Sequence, residues 1–348
     1  MTAMNRPLPR EDLEHVLQHT RDLWEEIRGK RIFITGGTGF FGVWLLETFV
    51  FANEQLGLDA RVTALTRNPE NSSKKIPRLA SHPAIDWVKG DVRNFGFPTG
   101  EYSHVIHSAT ETNSAVAPME PQVLIDANVS ATRRVLEFAE GAGAGRFLFT
   151  SSGAVYGRQP PDVTHLGEDY SGRAAVHDDG TGYGRSKHLS EMLCESAARE
   201  HGLGAVIARC FAFVGPLLPL DTNYVIGNFI RDALNGGPIR IHGDGTPRRS
   251  YLYTADLAAW LWTLMLKGRP GQAYNVGSNE DFSIEQIARL VGDAVNPGKK
   301  ITVAKKPVPG QPCQRYVPST DHAKNELGLH TWINIRESIR RTIEWHSN

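Results

Sequence analysis

Apolar residues along this chain follow two alternating rhythms. Short unbroken apolar runs at 31–35, 61–65, 85–88, 104–108, 146–150 and 204–209 read as buried strands. At about 40–56, 121–141 and 183–201 the apolar residues instead recur every three or four positions, which predicts helices. Strand–helix alternation predicts an α/β fold: a Rossmann-type, doubly wound parallel sheet with helices on both faces. Ligands bind beyond the carboxyl ends of the strands in such a sheet. The turn after 31–35, His107-Ser108-Ala109-Thr110, Thr150-Ser151-Ser152 and Arg209-Cys210-Phe211 all fall at such ends. Four strands therefore point residues at one place.

The flanks differ from this middle. Leu13, Val16, Leu17, Leu23, Trp24 and Ile27 follow Pro9 at helical spacing. They predict an amphipathic helix over 11–28, packed on the domain, with an oligomer contact as the alternative reading. After about residue 215, Pro, Gly and short segments dominate, with helices predicted near 223–235, 254–267, 283–293 and 334–346. The expected division is a helical extension over 1–29, a dinucleotide-binding domain over 30–215, and a smaller α/β substrate lobe over 216–348, some of whose segments return to the larger domain. No internal repeat is visible.

Composition narrows the setting. Hydrophobic residues make up 40% of the 348, enough for a proper core, and 38 Lys and Arg balance 38 Asp and Glu. That balance gives no electrostatic footprint for nucleic acid or an anionic membrane. The cysteines are Cys194, Cys210 and Cys313, odd in number and widely spaced, which suits a reducing compartment and neither a disulfide framework nor a metal site. No apolar run approaches the roughly 20 residues of a membrane span, and the N-terminus has no signal-peptide core. A cytoplasmic location is expected.

The chemistry begins at Ile32-Phe33-Ile34-Thr35-Gly36-Gly37-Thr38-Gly39-Phe40-Phe41-Gly42. An apolar strand, glycines Gly36, Gly39 and Gly42 at three-residue spacing, and a following helix together make a diphosphate site. Glycines let backbone N–H groups approach the phosphates, and the helix dipole favours the anion. Downstream, Tyr183 and Lys187 lie four apart, on one face of a predicted helix. The ammonium, with a positive nicotinamide ring, is expected to stabilise tyrosinate and lower the Tyr183 pKa. Tyr183 would then take a proton from a sugar hydroxyl as hydride leaves the same carbon. Lys187 would also hold the nicotinamide ribose, and Ser152 would orient the reacting oxygen.

Taken together, these motifs resemble the extended short-chain dehydrogenases/reductases of the nucleotide-sugar epimerase/dehydratase family. The resemblance covers about residues 30–346. It rests on the glycine turn, Gly90-Asp91-Val92, Val105-Ile106-His107-Ser108-Ala109, Asn128-Val129, Ser151-Ser152-Gly153-Ala154-Val155-Tyr156-Gly157, Tyr183 to Lys187, and Gly243-Asp244-Gly245 leading to Arg249-Ser250-Tyr251. It implies that Asp91 and Val92 bracket an adenine. It also implies that Phe40, Phe41, Ser108, Ala109, Thr110, Ser151 and Phe211 line the cofactor, and that Asn128 supports the active-site backbone. On the substrate side it implies Thr112, Ser152, Gly153, Ala154, Ala212, Asn228, Arg249 and Arg315, the last in a segment like that of sugar-nucleotide decarboxylases. Arg248 is read as a neighbouring surface charge. The expected substrate is a nucleoside-diphosphate sugar, and helices 121–141 and 183–201 are expected to pair across a homodimer.

The second strand ends Thr66-Arg67-Asn68, with no acid to bind ribose hydroxyls. A guanidinium suits a 2′-phosphate by charge and fork geometry. NADP is therefore preferred slightly over NAD.

Departures from the family pattern narrow the reaction. Sugar 4,6-dehydratases of the family carry an Asp-Glu pair where Gly153 and Ala154 stand, and decarboxylases of uridine-diphosphate glucuronate carry a Glu in place of Ala154. Neither Gly nor Ala moves a proton, so both activities lose support. Ala212 stands where the family often has an Asn, which points to a less polar sugar. What remains is oxidation and reduction at a sugar carbon, expected at C4. A nucleotide-sugar 4-epimerase is the preferred reading, and an NADPH-dependent 4-ketoreductase the alternative. A non-catalytic NAD(P)-binding module is opposed by the intact Ser152, Tyr183 and Lys187. His107 is expected to be structural and His177 to be a substrate contact of lesser weight.

Overall fold

The structure is a computed structural model describing residues 6–112, 119–170, 182–222 and 224–347. Seven strands form the central sheet: β1 (Arg31–Thr35), β2 (Arg61–Thr66), β3 (Ile85–Lys89), β4 (His104–His107), β5 (Arg146–Ser152), β6 (Gly204–Cys210) and β7 (Ala273–Val276). Their spatial order is β7-β6-β5-β4-β1-β2-β3, with every neighbouring pair parallel. The chain leaves β1 in one direction to reach β2 and β3, then returns to place β4 on the other flank of β1. This reversal opens a crevice at the carboxyl ends of β1 and β4.

The principal helices are α1 (Arg10–Thr20), α2 (Phe40–Leu56), α3 (Pro121–Gly141), α4 (Gly182–Glu200), α5 (Val225–Leu234), α6 (Thr254–Lys267), α7 (Ile284–Val295) and α8 (Ile335–Ser347). α2 and α6 cover one face of the sheet with Trp44, Leu45, Leu46, Phe49, Trp260 and Trp262. α3 and α4 cover the other, where Phe33, Val135, Phe138 and Cys194 meet. Parallel strands buried on both faces read as the unbroken apolar runs seen in the sequence. β7 was not among the predicted strands. It is only Ala-Tyr-Asn-Val, too short to show a rhythm, and it reaches the sheet by pairing with β6.

A separate core gathers Val214, Phe229, Ile230, Ile287, Val291, Ile339 and Ile343 under α5, α7 and α8. There Arg248–Arg249 forms a short strand, flanked by Phe282–Ser283 and Arg315–Tyr316.

The predicted 11–28 helix is broken: α1 stops at Thr20 and a 3₁₀ segment, Arg21–Ile27, follows. At the junction Thr20 donates to the Val16 carbonyl at 2.6 Å and accepts from Trp24 Nε1 at 2.8 Å. Back-bonding of this kind accompanies a bend, and the tighter segment turns Trp24 and Ile27 into the core. α1 packs on α2 and α6. Asp12, buried within it, accepts from Tyr253 Oη and from Arg341 Nη1, each at 2.7 Å. Among the described residues no helix is long and apolar enough to cross a membrane.

Candidate active site

A cleft of about 950 Å³ opens at the carboxyl ends of β1, β2, β4, β5 and β6. Its floor is the glycine turn. Gly36 sits at φ +75°, and a Cβ there would lie 2.6 Å from the Ala109 amide nitrogen. A Cβ on Gly42 would lie 2.1 Å from the Gly36 carbonyl oxygen. Gly39 caps α2 in extended conformation with no side chain over the helix end. The first amides of a 17-residue helix thus face the cleft. Such an N-terminus fits a dinucleotide's diphosphate by close backbone approach and by dipole.

At one end of the cleft stand Arg67, Asp91 and Val92. Arg93 grips the Asp91 carboxylate with Nε at 2.7 Å and Nη2 at 2.8 Å, and this pairing holds its pKa down to about 2. Arg67 pairs with Glu111 at 3.0 Å, both side chains being exposed. The loop after β4 is braced from below. Ser108 Oγ donates to the Thr35 carbonyl at 2.7 Å. Asn128 Oδ1 accepts from the Glu111 amide at 2.8 Å, while its Nδ2 donates to the Glu111 carbonyl at 3.1 Å and to Ser186 Oγ at 3.0 Å. Asn128 therefore ties this loop to α4. Thr110 and Thr112 line the cleft beside it. His107 lies between Thr35 and Thr132, at 2.8 and 3.2 Å, and burial pushes its pKa down to about 3. It is a structural, neutral ring. His177 lies outside the described residues.

Ser152 ends β5, and Tyr183 and Lys187 rise beside it from α4; all three line the cleft. The buried Lys187 ammonium donates to the Thr150 carbonyl at 2.7 Å. Burial pushes its pKa down to about 8. Ser152 Oγ accepts from the Ala154 amide at 3.2 Å, and the Tyr183 phenol lines the cleft near it. The phenol's pKa is raised, where the sequence led us to expect it lowered. Burial is the first cause, with Tyr316 and Cys210 adding to it and Ser152 opposing. The Lys187 ammonium stands 5.9 Å from the Tyr183 ring centre and bonds a carbonyl instead of the phenol. Burial of the phenol therefore sets the direction.

Beneath these residues lies a buried polar network. Glu191 and Arg209 pair at 2.9 Å with almost no exposure. Ser151 Oγ donates to Glu191 at 2.5 Å, Arg209 Nη1 donates to Tyr156 Oη at 2.8 Å, and Tyr156 donates to Asn275 Oδ1 at 2.8 Å. Ser151 lines the cleft while its hydroxyl faces down into this network. Sequence reasoning missed Glu191, and it counted Arg209 among the strand ends facing the cleft, whereas its side chain turns into this network. Their signals were a carboxylate four residues after Lys187, hence on the same helical face, and a lone Arg in an apolar strand.

On the substrate side Phe211, Ala212 and Arg249 line the cleft. Tyr224, Tyr251 and Tyr316 line it too and were not singled out from sequence. Four expected contacts stand elsewhere. Gly153 is buried and Ala154 half-buried under α4, neither on the cleft wall. Asn228 is bonded within its own segment, Nδ2 to the Thr222 carbonyl at 3.1 Å and Oδ1 from Arg231 at 3.1 Å. Arg315 is paired with Asp281, which also holds Arg248 at 2.5 Å. The reason is strand alternation: successive side chains face opposite sides, so Arg249 and Tyr316 take the cleft while Arg248 and Arg315 take the far side. Among the described residues no group of three His, Cys, Asp or Glu is placed to hold a metal ion.

Known proteins share this architecture. UDP-glucuronic acid decarboxylase 6 of Arabidopsis thaliana is 30% identical over 309 residues, 89% of this chain and 86% of that protein. A dTDP-glucose 4,6-dehydratase from Streptomyces venezuelae, solved with NAD bound, superposes with a TM-score of 0.76 at 23% identity, covering 91% of this chain and 96% of its own. UDP-glucose 4-epimerase from Thermotoga maritima, solved with UDP-glucose, superposes with a TM-score of 0.72 at 21% identity, covering 91% and 98%. Residues 32–277 match the NAD dependent epimerase/dehydratase family, from the first strand through the seventh, and the chain belongs to that family.

Proposed function

We propose that the protein is an NAD(P)-dependent nucleotide-sugar epimerase, acting at C4 through a transient 4-keto sugar. The observation that carries this reading is Ser152, Tyr183 and Lys187 on one cleft whose floor is a glycine turn that fits a diphosphate. A nicotinamide dinucleotide, when bound, supplies the hydride acceptor and donor. The chain's own residues do the rest. Gly36, Gly39 and the first turn of α2 hold the diphosphate, and Ser108 to Thr110 line the approach to the ring. Ser152 orients the sugar hydroxyl, and Tyr183 takes its proton as the carbon is oxidised and returns it on reduction. Lys187, fixed to the Thr150 carbonyl, presents its charge to the ribose and the tyrosine. Arg249 offers the cleft a cation for the substrate diphosphate.

The likeness to UDP-glucuronic acid decarboxylases supports a sugar-nucleotide substrate, while Gly153 and Ala154 offer no acid for decarboxylation or dehydration. Arg67 is the residue that would favour NADP, but the Glu111 carboxylate already engages that guanidinium. A 2′-phosphate would have to displace it, so NAD is the simpler occupant. The second reading, a 4-ketoreductase consuming NADPH, gains from Arg67 and loses by the same pair. The protein is proposed to work as a homodimer through α3 and α4.

The test is to denature purified protein, identify the dinucleotide released, and then screen nucleoside-diphosphate sugars without added cofactor. A dinucleotide retained at near one per chain, with sugar interconversion, is the expected result. Empty protein that turns over only 4-keto sugars with added NADPH would establish the ketoreductase instead.

A further inference from the structure

Arg249 is held on the cleft wall by residues that do not reach the cleft. Among the described residues it is the one guanidinium lining the cleft away from the Arg67 and Arg93 end. It lies in the middle strand of the small ladder, Arg248–Arg249, with Phe282–Ser283 antiparallel on one side and Arg315–Tyr316 parallel on the other. Each strand is only two residues long, so ladder hydrogen bonds alone specify the register weakly. Asp281, directly before Phe282, supplies a further tie. Its carboxylate accepts from Arg248 Nε at 2.5 Å and Nη2 at 2.8 Å, and its main-chain carbonyl accepts from Arg248 Nη2 at 3.0 Å. The same carboxylate pairs with Arg315. One side chain thus joins all three strands on the face away from the cleft. On the cleft side, Arg249 Nη1 donates to the Arg248 main-chain carbonyl at 2.8 Å. The cleft cation is therefore oriented by the residue that Asp281 grips.

We propose that Asp281 is a positioning residue for substrate binding, acting through Arg248 to hold Arg249 where it meets the diphosphate of a nucleoside-diphosphate sugar. The inference rests on the sugar-nucleotide reading proposed above. Charge and geometry make opposite demands at this position. An acid near a diphosphate site repels the ligand, so if Asp281 acted only through its field, removing its charge would tighten binding. As a positioning residue it does the reverse. Without the carboxylate, the Arg248 and Arg315 guanidiniums face each other from neighbouring strands, and like charges across a ladder push it apart. The Arg248 main chain then shifts, and Arg249 leaves its place. The dinucleotide's diphosphate is held by the amides of the glycine turn, which belong to other elements, so its binding is untouched.

Dinucleotide-loaded protein is titrated calorimetrically with UDP, dTDP, GDP, CDP and ADP, and the variants are compared on the nucleotide that the unaltered protein binds. Arg249→Gln is expected to weaken that binding about tenfold, the effect of one charge-assisted hydrogen bond. Asp281→Asn is expected to weaken it about fivefold, and to add nothing further once Arg249 is already Gln. Arg248→Lys keeps the charge but loses the two-pronged grip on Asp281, and is expected to weaken binding about threefold. It decides the matter if Asp281→Asn fails to fold. Dinucleotide content is expected to match that of the unaltered protein throughout. Asp281→Asn or Arg248→Lys binding as tightly as the unaltered protein, or more tightly, overturns the proposal. So does a loss in Asp281→Asn that adds in full to that of Arg249→Gln, or one accompanied by loss of the dinucleotide. Unaltered protein that binds none of the five nucleotides overturns the sugar-nucleotide reading and the role of Asp281 with it. Binding that the variants leave unweakened overturns the role of Asp281 alone.

Discussion

His107 shows how one residue can carry a pH dependence that has nothing to do with catalysis. Its ring is fully buried between Thr35 and Thr132, and burial holds its pKa near 3 in the fold against about 6.5 in an unfolded chain. Below pH 6.5 the unfolded chain binds the proton and the folded one does not, so stability falls as pH drops from 6.5 toward the folded value. At pH 5 the loss from His107 alone is about 2 kcal/mol. We expect the Tm to begin falling below about pH 6.5 and the fall to be shallower in His107→Gln, with buried His104 and His346, also pushed down to about 4, supplying the remainder. A Tm level from pH 7 to pH 5 would refute this. The Tyr183 pKa illustrates the opposite lesson at the same scale. Spacing from Lys187 could suggest a lowered value, but spacing carries no information about how much apolar surface closes over the phenol.

At the scale of elements, one face of α4 carries Tyr183 and Lys187 to the cleft and, a turn further on, Glu191 to Arg209 on β6. Removing one partner of a buried ion pair leaves an uncompensated charge, which costs about 3–5 kcal/mol. Glu191→Ala is therefore expected to lower the Tm by roughly 10 °C. It should also loosen Ser151 and the β5 end beneath Ser152, seen as faster amide exchange at 150–152. The glycine turn, α4 and the candidate catalytic residues it carries to the cleft were legible because each motif is local: its meaning depends on spacings of three or four residues. Arg315 and Tyr316 were not legible. Which of the two faces the cleft is decided by pairing with Arg248–Arg249, more than 60 residues away, and a slip of one residue exchanges them. β7 was missed for a related reason, since four residues become a strand only through β6.

For the whole molecule, the exposed apolar side chains Val123, Leu189 and Met192, at 54%, 41% and 53% exposure, lie on the two long helices α3 and α4. Those helices pack against each other and turn an outer surface to solvent. If they pair with a second copy, as the sequence led us to expect, light scattering should give twice the chain mass. Leu189→Asp with Met192→Asp should then give a monomer whose dinucleotide binding is retained. A monomer before any substitution would remove the dimer from the account.

Asp12 also has a bearing on the time order in which the protein is made. Its two hydrogen-bond partners, Tyr253 and Arg341, come 241 and 329 residues later. On the ribosome α1 is made before both partners, so its carboxylate has no complete setting until α8 is synthesised. α1 can pack on α2 and α6 earlier, but the Asp12 pair is completed only then. Until α6 is made, its apolar stripe of Leu13, Val16 and Leu17 lacks a principal packing partner and stands open to chaperones and proteases.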